Sequence, residues 1–84
     1  MKTNYEIHDE RGDKTTITLS KWTADVLQVV LPDVHAWVQN TYDRVAEKRP
    51  QLTRRAKGDL VRLLASREAE KHPEHQARML ELLF

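Results

Sequence analysis

Lys14-Thr15-Thr16-Ile17-Thr18-Leu19-Ser20 is the stretch on which the fold turns. Side chains of an extended segment alternate between two faces, so Ile17 and Leu19 share an apolar face while Lys14, Thr16 and Thr18 share a small, hydrogen-bonding, basic one. Ser20 then carries a hydroxyl suited to a helix N-cap, where it accepts a bond from a backbone N–H of the first turn. From Lys21 the period changes: Trp22, Val26, Val29 and Val30, broadened by Leu27 and Leu31, recur at helical spacing. A strand therefore becomes a helix at Ser20.

Upstream, Tyr5-Glu6-Ile7 alternates like a short strand, and the polar run from His8 to Asp13, with Gly12 inside it, is turn material. The two strands are expected to pair as a hairpin. The alternative is a loose arm over residues 1–13, because an isolated two-stranded ribbon is barely stable.

Downstream, Pro32 removes a backbone donor and crowds the preceding turn, so the first helix is expected to stop near Leu31 and a second to start at Pro32-Asp33. Val34, Trp37, Val38, Thr41 and Val45, with Tyr42 and Ala46 alongside, keep helical phase up to Lys48-Arg49, and Pro50 forbids continuation. Both tryptophans are in phase with aliphatic neighbours, which favours packing over a ligand-stacking role. Thr53 is the next N-cap candidate, and Ala56, Leu60, Val61, Leu63 and Leu64 define a third helix ending near Lys71 or His72. Gly58 weakens that helix by up to about 1 kcal/mol relative to alanine unless a close backbone approach requires it. Pro73 opens a last short helix, whose Met79, Leu80, Leu82, Leu83 and Phe84 need a docking surface. The expected fold is one domain over 1–84, mostly α with a short N-terminal β ribbon: an arm or hairpin strand over 1–13, a strand plus helices over 14–49, and a basic helix with a C-terminal helix over 50–84.

With 84 residues, the chain buries a limited fraction of its surface, which makes self-association a natural way to complete the core. Absence of cysteine excludes disulfides, thiolate metal sites and a cysteine nucleophile. No apolar run approaches the roughly 20 residues that a bilayer requires, and Met1-Lys2-Thr3-Asn4 leads into polar sequence, so a cytoplasmic protein without a membrane partner is expected. The net charge is +1, but residues 50–71 concentrate Arg54, Arg55, Lys57, Arg62, Arg67 and Lys71 against Asp59, Glu68 and Glu70. That bias is compatible with a modest phosphate footprint, although a solvated helix face is the commoner source of such charge.

Chemistry beyond binding finds little support. His72-Pro73-Glu74-His75 spaces two imidazoles on one helix face but lacks a third ligand, so no metal is expected. His8 and His35 are isolated, Ser20 and Ser66 lie in no nucleophile elbow, and two glycines cannot build a phosphate loop. Neither catalysis, a cofactor nor a small-molecule substrate is expected.

The run Thr15-Thr16-Ile17-Thr18-Leu19-Ser20, followed by an amphipathic helix, resembles the N-terminal strand and helix entry of the ribbon-helix-helix family of bacterial DNA-binding proteins, in particular the small plasmid-borne repressors. In that family two chains pair their strands into an antiparallel ribbon that enters the major groove. The resemblance implies a homodimer that binds double-stranded DNA, with Lys14, Thr16 and Thr18 at base edges and Ile17, Leu19, Trp22 and Val26 in the dimer core. Lysine can reach guanine acceptors, and threonine offers a hydroxyl together with a methyl that can touch thymine. It also implies phosphate contacts, for which Ser20, Lys21, Thr53, Arg54 and Arg55 are the candidates.

In the family, the second helix holds a phosphate at its N-terminus. Leu31-Pro32-Asp33 opens a helix at the right place but puts a carboxylate there. Gln51-Leu52-Thr53-Arg54-Arg55 matches better in residue type but comes late; it would need residues 21–49 to form one long or kinked helix. We favour 50–84 as additional C-terminal helices that stabilise the dimer, with Arg54 and Arg55 as accessory phosphate contacts. The implied function is a transcriptional repressor of its own operon. Two alternatives remain: an accessory DNA-binding factor in plasmid partition or at a transfer origin, and a helical protein-interaction module, an antitoxin or adaptor that docks through Met79–Phe84.

Overall fold

The computed structural model describes residues 2–74 and 81. Strands β1 (Lys2–His8) and β2 (Lys14–Ser20) pair antiparallel, with Tyr5 opposite Ile17 and Asn4 opposite Thr18. The hairpin, not the loose arm, is what forms. Its turn is closed by Asp9, whose N–H donates to the Asp13 carbonyl at 2.8 Å and whose carbonyl accepts from Gly12 at 2.9 Å. Gly12 has φ +85°, a conformation a side chain would disfavour.

Helices α1 (Lys21–Val30), α2 (Val34–Lys48) and α3 (Arg54–Glu70) follow. Each starts on a side-chain cap: Ser20 Oγ accepts from Thr23 N–H at 3.2 Å, Asp33 Oδ1 from Ala36 at 3.0 Å, and Thr53 Oγ1 from Ala56 at 3.1 Å. The chain breaks at Leu31–Asp33, so residues 21–49 are two helices and not one long one.

The helices cover the inward face of the hairpin. Ile7, Ile17 and Leu19 from the sheet meet Val26 and Leu27 of α1, Val38 and Tyr42 of α2, and Val61 and Ala65 of α3 in one core. Burying each of the larger aliphatic side chains contributes about 1.5–3 kcal/mol. Gly58 fits here: a Cβ at that position would lie 3.3 Å from Ile17 Cδ1, so the missing side chain lets α3 approach β2. The helix propensity lost at Gly58 is thus offset by close packing.

The residues expected in a dimer core are Ile17, Leu19, Trp22 and Val26. Ile17, Leu19 and Val26 are buried within a single chain, because β1 and α3 supply the cover a second strand was expected to give. Trp22 is only half-buried and lies outside the core cluster, whereas Trp37 packs against it. The apolar run Met79–Phe84 and His75 lie outside the described residues, apart from Glu81, which is exposed.

Candidate nucleic-acid interface

The pleat turns Lys14, Thr16, Thr18 and Ser20 outward in one row, and the antiparallel register sets Lys2, Asn4, Glu6 and His8 beside them. The result is a polar face two strands wide. Thr18 Oγ1 donates to Asn4 Oδ1 at 2.9 Å, which leaves the Asn4 amide donors facing out. Asparagine and threonine offer complementary donors and acceptors to base edges, and Asn, like Gln, can pair bidentately with adenine. Lys14 Nζ lies 3.4 Å from Glu6 Oε1, with both side chains exposed. An exposed pair of this kind is worth little in water and separates readily when a phosphate competes for the cation.

Asn4, Lys2 and His8 were not singled out from sequence. The signal that could have found them was the hairpin itself: once Tyr5 pairs with Ile17, every outward residue of β1 joins the face.

The two edges of the sheet differ. Along β1, Gln39 of α2 accepts from the His8 N–H and donates to the His8 carbonyl, both at 2.8 Å, while His35, one helical turn earlier, donates to the Glu6 carbonyl. These bonds point away from β2, in keeping with the alternation set by Asp9, whose N–H bonds across the hairpin to Asp13. The register then directs the N–H and C=O groups of Thr16 and Thr18 outward along β2. Among the described residues nothing bonds to them.

The sites proposed for phosphate contact are not equivalent. Ser20 caps α1 and also donates to Thr23 Oγ1 at 2.9 Å, and Lys21 Nζ is 2.6 Å from Asp25. Thr53 is committed to capping α3. Arg54 leans on the hairpin turn, with Nη1 3.3 Å from Asp9 Oδ2, while Arg55 is exposed and has no partner among the described residues. The N-terminus of α3 thus shares a crevice with the turn, where Asp9, Glu10 and Asp13 face Arg11, Arg54 and Lys57, and a phosphate there would compete with the Asp9 and Glu10 carboxylates for Arg54 and Lys57. At α2, the Asp33 carboxylate fills the anion position itself.

The same turn holds a buried charge. The Lys57 side chain is 4% exposed, and its Nζ sits 3.2 Å from Glu10 Oε1, while the Tyr42 hydroxyl donates to Glu10 Oε2 at 3.4 Å. Burial, reinforced by the Glu10 and Asp9 carboxylates, pushes the Tyr42 hydroxyl up to about 12. For Asp9, burial acts to raise the pKa, but hydrogen bonds from the Arg11 and Asp13 N–H groups and the Arg54 guanidinium outweigh it. Its carboxyl is held below the ordinary aspartate value.

Among the described residues no three or more His, Asp or Glu side chains gather as a metal site, and no helix is long and apolar enough to cross a membrane. Compared with known proteins, the chain matches no family model, no curated protein and no solved structure.

Proposed function

We propose that the protein is a homodimeric, sequence-specific DNA-binding protein that represses transcription of its own operon. The observation that carries this reading is the combination of an outward Lys14, Thr16, Thr18 and Asn4 face with an open β2 edge beside it. Two copies pairing along that edge, with Thr16 opposite Thr18 of the partner subunit, make a continuous antiparallel sheet whose two central β2 strands form a polar ribbon of the width a major groove admits. The four threonines then cluster at the dyad. Lys14 joins the threonines at base edges, and Arg55, exposed and outside the crevice that the turn carboxylates line, supplies an accessory phosphate contact that carries no sequence information. This arrangement departs from the ribbon-helix-helix pattern, because each chain contributes a hairpin where the family contributes one strand. A partition or transfer-origin factor would use the same face.

The test is a gel shift on DNA upstream of the protein's own gene, with excess nonspecific competitor. Thr16→Ala combined with Thr18→Ala is expected to abolish sequence preference and to leave the circular dichroism spectrum unchanged. Retained preference would sink the assignment.

A further inference from the structure

We infer that the groove between α2 and α3 is a second binding surface, built to receive an acidic amphipathic helix of a partner protein. It is independent of the ribbon face and uses none of the residues assigned to DNA.

The groove is two adjoining hollows, about 390 and 310 Å³, that share Thr41, Arg44 and Leu64. Its floor is Trp37, Thr41 and Val45 of α2 with Leu60 and Leu64 of α3. Thr41 is a suitable floor residue because its hydroxyl is turned back to the Trp37 carbonyl at 2.7 Å, which presents the methyl and hides the polar atom. Leu64 remains 39% exposed there, an apolar contact left open to water.

The rim is basic. Arg44, Lys48 and Arg49 rise from the α2 side and Arg67 and Lys71 from α3. The acid in the lining is Glu68, which is 3.4 Å from Lys71 and 3.8 Å from His72. Arg44, Lys48, Arg49 and Arg67 have no carboxylate partner among the described residues. Four uncompensated cations around an apolar floor define the complement: a ligand apolar along one stripe and anionic on both flanks. From Leu60 to Lys71 the groove wall runs roughly 16 Å at 1.5 Å per residue, the length of about three helical turns. An amphipathic helix with leucines at i, i+3 or i+4 and i+7 and flanking glutamates meets each requirement. A nucleic-acid backbone would satisfy the rim but has no side-chain stripe for the floor.

The probe is a synthetic 15-residue helical peptide of that pattern, labelled at one end and titrated with the full chain while anisotropy is read. Saturable binding is expected, with at least about tenfold weaker binding to the Arg44→Glu, Arg67→Glu double variant, whose side chains are on the surface. The charge-swapped peptide, lysine in place of glutamate, should bind that double variant better than it binds the wild type. Leu64→Asp should also weaken the acidic peptide, since it puts a like charge on the floor. If the acidic peptide does not bind, or binds both proteins equally, the inference fails. If the double variant instead loses nonspecific DNA binding and leaves peptide binding intact, the groove is a nucleic-acid surface and the inference again fails. Loss of sequence preference in Thr16→Ala, Thr18→Ala leaves the groove untouched, so the two readings succeed or fail separately.

Discussion

Asp9 and Tyr42 set how the hairpin turn responds to pH. Asp9 has a depressed folded pKa, so its stabilisation is present above the ordinary aspartate value and is lost as pH falls through the folded value. Tyr42 is the opposite case. Its hydroxyl ionises in the unfolded chain near 10 but in the folded chain only at about 12, so its contribution holds below 10 and is lost as pH rises through 12. Thermal melts across pH should show stability declining at both ends, with Asp9→Asn flattening the acid limb and Tyr42→Phe the alkaline one. Unchanged limbs in those variants would remove the two groups as causes. The Tyr5 hydroxyl, by contrast, is buried with no hydrogen-bond partner among the described residues, a cost the core carries without an evident return.

At the scale of elements, what could be read from sequence was local. Ser20 and Thr53 declare themselves as caps because a hydroxyl just before an apolar-periodic run has one useful partner, three residues on. Pro32 ends α1 by chemistry that needs no neighbour. The pairing of Asp9 with Arg54 and of Glu10 with Lys57 was not legible, since these partners are 45 and 47 residues apart and only packing brings them together. Lys57 did leave a trace: it is in phase with Val61 and Ala65, so the apolar side of α3 includes a lysine that must be paired to be buried. The open β2 edge gives a prediction of its own. Thr16 directs its N–H outward, so Thr16→Pro removes an edge donor and no bond within the hairpin. The variant should keep its helical circular dichroism yet sediment as a monomer and fail to shift DNA. A dimer in sedimentation would show that association does not run through β2.

For the molecule as a whole, the surprise is self-sufficiency. A chain of 84 residues was expected to borrow apolar cover from a second copy, but its hairpin already rests on three of its own helices. Sequence periodicity identified Ile17, Leu19 and Val26 as core positions correctly; it could not say whose core, because the same alternation serves a strand paired in cis or in trans. The consequence is measurable. An obligate dimer melts at a temperature that climbs with concentration, whereas the Thr16→Pro monomer should melt cooperatively at a temperature independent of it. A steep concentration dependence in that variant would mean that the protomer does not close its own core.

The Gln39 and His35 bonds along β1 carry one more implication. Exposed strand edges are where sheets polymerise, and a protomer with two open edges can add copies without limit. Here one side is stoppered over its turn-proximal half by an amide and an imidazole from α2, leaving only the short Lys2 and Asn4 end. If copies pair through β2 as proposed, strand-by-strand growth would end after a single addition. In the proposed dimer the sheet would act as a chain terminator at one side and a joint at the other, a polarity that favours a pair over a fibre.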